Sequence, residues 1–232
     1  MTNQTLNLNP RLRKIAELVP PNRCTADIGT DHGYIPIELI NNGVTPHGIA
    51  SDINKGPLLR AQANIQKHNL ESYIETRLGS GLSTLSAGDA EVIIIAGMGG
   101  ILISEILKAS KDVANSAKLL ILQPMTAVTE LRQYLVEDGF KIETEHLVAE
   151  EDKLYNIIVA SPDGSCHYTL AELYLGKNLD KTSPDLFPRY QTAVLKKLHR
   201  RKAGLGKSNL PENKQQFDQI CNILNILENP QP

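Results

Sequence analysis

Five strand-like runs alternate with four helical patterns over the first 140 residues, and this alternation constrains the fold more than any other feature. The strand-like runs lie at residues 24–28, 47–52, 73–79, 91–97 and 118–124, and the helical patterns lie at about 34–42, 55–69, 99–111 and 126–138. Repeated strand and helix units of this length predict a parallel sheet with right-handed crossovers and helices on both faces.

The run VIIIA at residues 92–96 has no polar position, as expected of a strand buried on both faces in the middle of a parallel sheet. Two further strand-like runs, at 140–151 and 153–162, have no helix between them and meet at Asp152. They predict an antiparallel hairpin. Alternating parallel strands closed by such a hairpin are the plan of class I methyltransferases, so the predicted fold class is α/β and Rossmann-like, with a mostly parallel sheet.

The remainder of the chain is predicted to be helical. Helical patterns cover residues 170–180, 188–203 and 211–228, and the last two patterns are joined by the turn-rich sequence GLGKSNLP. Apolar positions Val194, Leu195 and Leu198 in one of them match an apolar row in the other, formed by Phe217, Ile220, Ile223, Leu224 and Leu227. The sequence therefore predicts two domains, residues 1–162 and a C-terminal α-helical, coiled-coil-like extension at 163–232.

Charge is distributed unevenly between these two parts. Residues 1–162 carry 14 basic and 19 acidic side chains, whereas residues 163–232 carry 10 basic and 7 acidic side chains. No acidic residue lies between Asp185 and Glu212, where the basic residues are Arg189, Lys196, Lys197, Arg200, Arg201, Lys202 and Lys207. This stretch is a candidate RNA-binding surface, and the alternative is an ordinary solvated helix face.

Composition excludes several other classes of protein. No apolar run approaches the roughly 20 residues that cross a bilayer, and the N-terminal sequence has no apolar segment typical of a secretory signal. Cys24, Cys166 and Cys221 are few, far apart and odd in number, which argues against both a disulfide framework and a zinc site. We therefore expect a cytoplasmic protein with no bound metal and no membrane partner.

Glycine and aspartate are concentrated just after the first strand, in the sequence DIGTDHGY. Gly29 and Gly33 allow the backbone to bend close to a ligand, while Asp27 and Asp31 supply carboxylates. These carboxylates suit a ligand with an ammonium or sulfonium group better than a pyrophosphate, which they would repel. The alternative is that both aspartates only form hydrogen bonds within the turn.

The ends of the next strands carry similar residues. Asp52 lies about 20 residues beyond the glycine turn, where an acidic side chain accepts hydrogen bonds from ribose hydroxyls. Ser80 between two glycines is a candidate contact to an adenine, and the glycines of AGMGG at residues 96–100 allow close approach to the reacting centre. The G-x-G-x-x-G fingerprint is absent, which argues against a nicotinamide cofactor.

The motifs DIGTDHGYIPIEL, ASDINKGPL, RLGSGL, IIIAGMGG and LILQP, in this order, closely resemble the bacterial tRNA (adenine(22)-N(1))-methyltransferases. The resemblance covers nearly the whole chain, because that family also has a C-terminal helical extension. It implies methyl transfer from S-adenosyl-L-methionine to N1 of adenine 22 in tRNA. The sequence departs from the family at Ser80, where an acidic residue is common, and at Met125, where an asparagine is common.

Elimination among methyl-transfer chemistries agrees with an N1 target. The fourth strand ends in AGMGG rather than the [DN]-P-P-[YFW] motif of exocyclic amine methylation, and no Pro-Cys pair for C5 methylation is present. Adenine N1 carries an in-plane lone pair, so the enzyme has to position N1 rather than activate it. We predict Asp31 as a carboxylate that stabilises the developing positive charge, with His32 and Tyr34 as hydrogen-bonding or stacking partners of the base.

The full set of predicted cofactor contacts follows from these strand ends and from a helix before the first strand, whose Arg11 is placed to neutralise the cofactor carboxylate. The set is Arg11, Asp27, Gly29, Asp31, His32, Asp52, Ile53, Gly79, Ser80, Gly81, Ala96, Gly97 and Met98. For several of these residues the alternative is a structural role. This holds above all for His32, because its position in the sequence does not distinguish a catalytic role from a structural one.

Two rival functions stay open from the sequence. One is a class I methyltransferase that acts on another RNA, a protein or a small molecule. The other is a non-catalytic RNA-binding protein that retains the cofactor fold. The basic extension favours an RNA partner over the small-molecule rival, and the oligomeric state is open.

Overall fold

The structure is a computed structural model that describes residues 6–162, 164–207 and 211–229. The chain divides into two compact units, of which the first ends at Cys166 and the second begins at His167. The sequence placed this division between residues 162 and 163. Among the described residues, no helix is both long enough and apolar enough to cross a membrane.

The first unit contains seven strands and six α-helices among its described residues. The strands are β1 (Thr25–Ile28), β2 (Gly48–Asp52), β3 (Ile74–Leu78), β4 (Val92–Gly99), β5 (Leu119–Thr126), β6 (Lys141–Glu150) and β7 (Lys153–Ser161). The helices are α1 (Pro10–Glu17), α2 (Tyr34–Asn41), α3 (Lys55–Lys67), α4 (Gly100–Ala109), α5 (Lys111–Ser116) and α6 (Val128–Glu137), with a 3₁₀ helix at Gly81–Thr84.

The seven strands form one sheet in the order β3-β2-β1-β4-β5-β7-β6. Strands β1 to β5 are parallel, and β7 is antiparallel to both β5 and β6. The predicted fold, a mostly parallel sheet closed by an antiparallel hairpin, is confirmed. The chain builds outward from β1 to β3, then returns to place β4 on the other side of β1. This reversal opens a crevice at the carboxyl ends of β1 and β4, which is the usual ligand position in such sheets.

The strands next to this crevice are buried in a mostly apolar core, which also encloses the carboxyl groups of Asp27 and Asp52. Every residue of β1 and β2 is buried, and Val92 to Ile95 of β4 are buried on both faces as the sequence predicted. Helix α1 packs against the sheet through Ile15, which lies in one cluster with Ile94 and Ile121. Asn9 begins this helix by accepting a hydrogen bond from the Leu12 amide at 2.9 Å. The core therefore holds α1 at the sheet.

The second unit is helical. It contains α7 (Leu170–Leu175), α8 (Leu179–Thr182), α9 (Phe187–Leu205) and α10 (Pro211–Glu228), so the predicted helix at 170–180 is two short helices. Gly176 and Asn178 have positive φ angles of 79° and 61°, which break the helix between them. Helices α9 and α10 pack through the predicted apolar rows, in a cluster that includes Leu198, Ile220, Ile223, Leu224 and Leu227.

A buried ion pair joins α6 to the antiparallel hairpin. Arg132 and Glu145 are 0% and 1% exposed, and the Arg132 Nε lies 2.6 Å from Glu145 Oε2. The Arg132 Nη2 also donates to Asn156 Oδ1 at 3.1 Å. Removing one partner from a buried pair leaves a charge without compensation in a medium where water cannot solvate it.

We expect Glu145→Ala to lower the free energy of unfolding by about 3–5 kcal/mol. The matched control is Glu143→Ala on the same strand, where the ion pair with Lys141 is exposed to solvent and contributes under about 1 kcal/mol. Urea unfolding followed by circular dichroism measures both, because the chain has no Trp. Equal effects of the two substitutions would contradict this prediction.

Candidate active site

The turn after β1 is tied to β2 and to itself by hydrogen bonds. The amides of Gly29 and Thr30 donate to the Ser51 carbonyl at 2.8 and 2.9 Å. The Thr30 hydroxyl accepts a hydrogen bond from the Gly33 amide at 3.1 Å and is also bonded to the Asp27 carboxyl. Gly29 has a φ of 77°, a conformation that side chains rarely adopt. The turn therefore has one defined shape before any ligand binds.

Asp27 is a buried carboxyl with an unusual charge environment. It is 7% exposed, and burial raises its pKa from 3.8 to about 6. The Thr30 hydrogen bond lowers this pKa, while the negative charge of Asp52 raises it further. None of these three influences is a cation, so a positively charged ligand would be strongly favoured beside Asp27.

Asp52 closes the end of β2. Its Oδ1 accepts a hydrogen bond from the Asn54 amide at 2.6 Å, and its carbonyl accepts one from the Gly79 amide at 3.0 Å. Asn54 begins α3 without capping it through its own side chain. Asp52 thus joins β2 to β3 through its backbone while its carboxylate stays at the sheet edge.

Two large apolar side chains stand exposed at the same edge. Ile53 follows β2 and is 62% exposed, and Leu78 ends β3 and is 58% exposed. Ser80 is also exposed, just before the 3₁₀ helix that begins at Gly81. Exposed apolar groups beside glycines suit the flat face of a base. Leu78 was missed by the sequence analysis, although an apolar residue at the end of a strand is a usable signal.

The end of β4 lies directly over the turn after β1. The register with β5 shifts between Ala96 and Met98, and Gly97 has a φ of 80°. A Cβ atom on Gly29 would lie only 2.1 Å from the Met98 Cε atom, so the Met98 methyl occupies that space. Any side chain at position 29 would therefore displace Met98.

Arg11 reaches this region from α1. Its Nη1 donates to the Gln123 Oε1 at 2.7 Å, and its guanidinium carbon lies 5.5 Å from the centre of the Tyr155 ring. The Gln123 Oε1 also accepts a hydrogen bond from the Gly97 amide at 3.1 Å. Gln123 was missed by the sequence analysis. The available signal was a polar residue at the end of an otherwise apolar strand.

The three predicted catalytic residues form a separate group at the start of α2. The His32 and Tyr34 rings stack, with centroids 4.9 Å apart and planes within 10°. The His32 Nε2 lies 3.2 Å from Asp31 Oδ2, and Arg60 of α3 pairs with the other oxygen of Asp31. Asp31 is therefore an exposed carboxylate with two basic neighbours. Arg60 was another residue that the sequence analysis missed.

Known proteins resemble the chain across both units. A family model described as a methyltransferase domain matches residues 8–158. The tRNA (adenine(22)-N(1))-methyltransferase of Bacillus subtilis (strain 168) is 39% identical over 155 residues, which span 67% of this chain and 65% of that protein. The crystal structure of the B. subtilis m1A22 tRNA methyltransferase TrmK superimposes with a TM-score of 0.88 at 31% identity, covering 97% of this chain and 98% of that chain.

The chain belongs to the tRNA (adenine(22)-N(1))-methyltransferase family. The predicted family is therefore confirmed. A second member of known structure, TrmK from M. capricolum in complex with S-adenosyl-homocysteine, has a TM-score of 0.81 at 28% identity, covering 95% of this chain and 96% of that chain. S-adenosyl-homocysteine is the natural cofactor product of that relative.

The groups in the crevice at β1 and β4 can be compared with those of S-adenosyl-L-methionine, the cofactor of this family. The ligand is a cation with an adenine, a ribose and an amino-acid carboxylate. The groups that shift the pKa of Asp27 include no cation, and within the part of the chain that the structure describes the buried Arg11 Nε has no hydrogen-bond partner. Ile53 and Leu78 provide apolar surface, and Asp52 a carboxylate. Among the described residues, no cluster of His, Cys, Asp or Glu suitable for a metal ion occurs.

The predicted RNA-binding residues of the methyltransferase fall into two groups on α9. Arg189, Lys196, Lys197 and Arg200 are exposed. Arg201 is exposed as well, but its Nη2 lies 3.4 Å from Gln216 Oε1 of α10, and the ammonium of the half-buried Lys202 lies 5.7 Å from the centre of the Phe217 ring on the same helix.

Tyr190, an aromatic residue beside Arg189, is not available for stacking. Tyr190 is 8% exposed, and its hydroxyl donates to the Tyr174 carbonyl at 3.2 Å. A buried ring cannot stack on a nucleotide base. Tyr190 therefore adds no stacking surface beside the exposed basic side chains of α9.

The raised pKa of Asp27 predicts a cost in stability. Between about pH 4 and pH 6 the folded state holds this proton and the unfolded state loses it, so stability falls as pH rises through this window. We expect Asp27→Asn to stabilise the ligand-free protein at pH 8 by about 1–3 kcal/mol and to confer no gain at pH 4. The same substitution should abolish cofactor binding.

Urea unfolding at both pH values tests this expectation, with Asp112→Asn as the control. Asp112 is an exposed aspartate in the first turn of α5, where the same change should alter stability by less than about 1 kcal/mol. A loss of stability in Asp27→Asn at pH 8 would show that the buried carboxylate is stabilising.

Proposed function

We infer that the protein transfers a methyl group from S-adenosyl-L-methionine to N1 of adenine 22 in tRNA. The observation that carries this inference is the match to B. subtilis TrmK over 98% of that chain, helical extension included. The alignment to the B. subtilis sequence spans about two thirds of that protein. The bound cofactor supplies an electrophilic methyl group on a positively charged sulfur.

We propose that the crevice at β1 and β4 holds the methionine end of the cofactor. Asp27 lies where it can compensate the positive charge, and Arg11 where it can bind the carboxylate. Gly29 and Gly97 let the backbone approach the ligand closely. Burial disfavours the ionised carboxylate of Asp27, and a cation beside it would favour the ionised form again. Binding of a cationic ligand would therefore offset the free-energy cost of burying this charge.

We propose that β2 and β3 hold the nucleoside end. One oxygen of Asp52 is already engaged by the Asn54 amide, so its carboxylate is held in one orientation toward the ribose hydroxyls. Ile53 and Leu78 flank the expected adenine position, and Gly79, Ser80 and Gly81 border it. In this proposal the cofactor is contacted by residues at the ends of strands that lie side by side in the sheet.

The target adenine needs placement more than activation. Its N1 lone pair is already in the plane of the base, and alignment with the methyl-sulfur bond converts a bimolecular reaction into a unimolecular one. We propose that the stacked pair of His32 and Tyr34 contacts the base. The methylated adenine gains positive charge, and Asp31 is the nearby carboxylate that can stabilise it or accept a proton from the exocyclic amine.

The exposed basic residues of α9 are proposed to contact tRNA phosphates. Contacts of this kind depend on backbone and shape, and they weaken steeply with salt. The alternative of a solvated helix face predicts no such dependence. A tRNA substrate and three free cysteines are in keeping with the reducing cytoplasm as the location we propose.

The decisive test is the product. Incubation with S-adenosyl-L-methionine and unmodified bacterial tRNA should yield 1-methyladenosine at position 22, detected by mass spectrometry of nucleosides and of the fragment that contains this position. We expect Asp52→Ala to weaken cofactor binding by about 10-fold or more, because a charged acceptor for two hydroxyls is lost. Asp218→Ala, on the exposed surface of α10, is the control.

Each rival function has its own signature in this experiment. A methyltransferase with another substrate would bind the cofactor with the same dependence on Asp52 but leave tRNA unmodified. A non-catalytic RNA-binding protein would bind tRNA without binding the cofactor. Either result would overturn the proposed activity.

A second test addresses the RNA surface. We expect Lys197→Ala to lower the slope of log Kd for tRNA against log salt concentration by about 0.7–0.9 if one phosphate contact is lost. Lys214→Ala on α10 is the matched control, since this lysine is exposed but lies outside the acid-free stretch. Equal slopes for both variants would favour the solvated-face interpretation.

A further inference from the structure

We propose that Gln123 is a positioning residue, which holds the guanidinium of Arg11 in place for the carboxylate of S-adenosyl-L-methionine without neutralising its charge. This inference rests on the proposed cofactor and on the proposed role of Arg11. It adds a residue that contacts no ligand group itself in this scheme but determines how well Arg11 does so.

Gln123 is completely buried near the carboxyl end of β5, and all of its polar atoms are engaged. Its Oε1 accepts hydrogen bonds from Arg11 at 2.7 Å and from the Gly97 amide at 3.1 Å. Its Nε2 donates to the Pro124 carbonyl at 2.9 Å and lies 3.6 Å from the Met125 sulfur. Rotating the amide by half a turn would bring its N–H groups against two other donors, so a single orientation is favoured.

The burial of the Gln123 amide indicates that its hydrogen bonds have a role. A buried amide without hydrogen bonds costs free energy, whereas an apolar side chain would suit a position that follows Ile121 and Leu122. The engaged oxygen is shared between Arg11 of α1 and the backbone amide of Gly97 near the end of β4. Gln123 therefore fixes the distance between Arg11 and Gly97, two groups that lie at the proposed methionine end of the cofactor.

Neutrality of the amide is what suits it to this position. Among the described residues, no carboxylate forms an ion pair with Arg11. The guanidinium is bonded to an amide oxygen and lies near the Tyr155 ring, and neither of these groups cancels its charge. Its Nε is buried and has no hydrogen-bond partner in residues 6–162, 164–207 and 211–229. Arg11 is thus oriented but still able to bind an anion at full charge.

A glutamate at position 123 would have the opposite effect. It would accept the same hydrogen bond from Arg11 but would occupy the guanidinium with a carboxylate of its own, in competition with the ligand. A leucine would fill most of the volume but leave Arg11 and the Gly97 amide without their acceptor. Both substitutions should weaken binding of the cofactor carboxylate, for different physical reasons.

Decarboxylated S-adenosylmethionine separates this positioning role from a general structural role. This analogue keeps the sulfonium, the amine, the ribose and the adenine but lacks the carboxylate that Arg11 would bind. Calorimetry with the full chain should show that Gln123→Glu and Gln123→Leu each weaken S-adenosyl-L-methionine binding by about 10- to 100-fold. Their affinity for the decarboxylated analogue should stay within about 3-fold of the unsubstituted protein, because its binding uses no Arg11 contact.

Arg11→Ala provides the second arm of the experiment. In this background, Gln123→Leu should cause no further loss of S-adenosyl-L-methionine affinity, since the residue through which Gln123 acts is gone. Gln133→Leu, an exposed glutamine on α6, is the matched control and should bind both ligands normally. Thermal unfolding by circular dichroism verifies that each variant is folded at the temperature of the titration.

Three outcomes would overturn the proposal. Equal weakening of both ligands by the Gln123 variants would assign Gln123 to the shape of the crevice alone. Unchanged binding of S-adenosyl-L-methionine would show that Arg11 needs no support, and additive losses in the double variant would show that the two residues act independently. Failure of the unsubstituted protein to bind S-adenosyl-L-methionine would instead contradict the proposed function itself.

Discussion

The parallel register of neighbouring strands is the constraint on which the whole crevice depends. Asp27 in β1 lies opposite Ala50 in β2 and Ile94 in β4, so these strands end at one edge of the sheet. Residues that are far apart in the sequence therefore meet there. The connections leave β1 and β4 in opposite directions, which keeps the space between them open to a ligand.

Two charged groups without an oppositely charged partner in the described part of the chain determine which ligand this crevice can bind. Asp27 is a buried carboxyl whose pKa is shifted by another carboxylate and by no cation among the described residues, and Arg11 is a guanidinium held by a neutral amide. Each arrangement disfavours the ligand-free state, and a ligand that carries both a cation and a carboxylate relieves both. These groups lower the free energy of unfolding of the ligand-free protein. Such a cost is typical of binding sites.

Much of this could be predicted from the sequence. The alternation of strands and helices, the apolar run at residues 92–96 and the hairpin after it predicted the sheet correctly, and the motif order predicted the family correctly. The proposed roles of the individual site residues stay predictions. Gln123 was missed because its partner Arg11 lies 112 residues away, and hydrophobic periodicity carries no information about such a pair.

By itself the sequence determined the order of the elements, the faces they bury and the acidic and glycine residues at the strand ends, because these follow from local pattern. Only the tertiary structure decided which polar groups pair. It joined Asp31 to Arg60, placed Lys202 against Phe217 and buried Tyr190. Such pairings depend on the distance between side chains from separate elements, and that distance is fixed only when the elements pack.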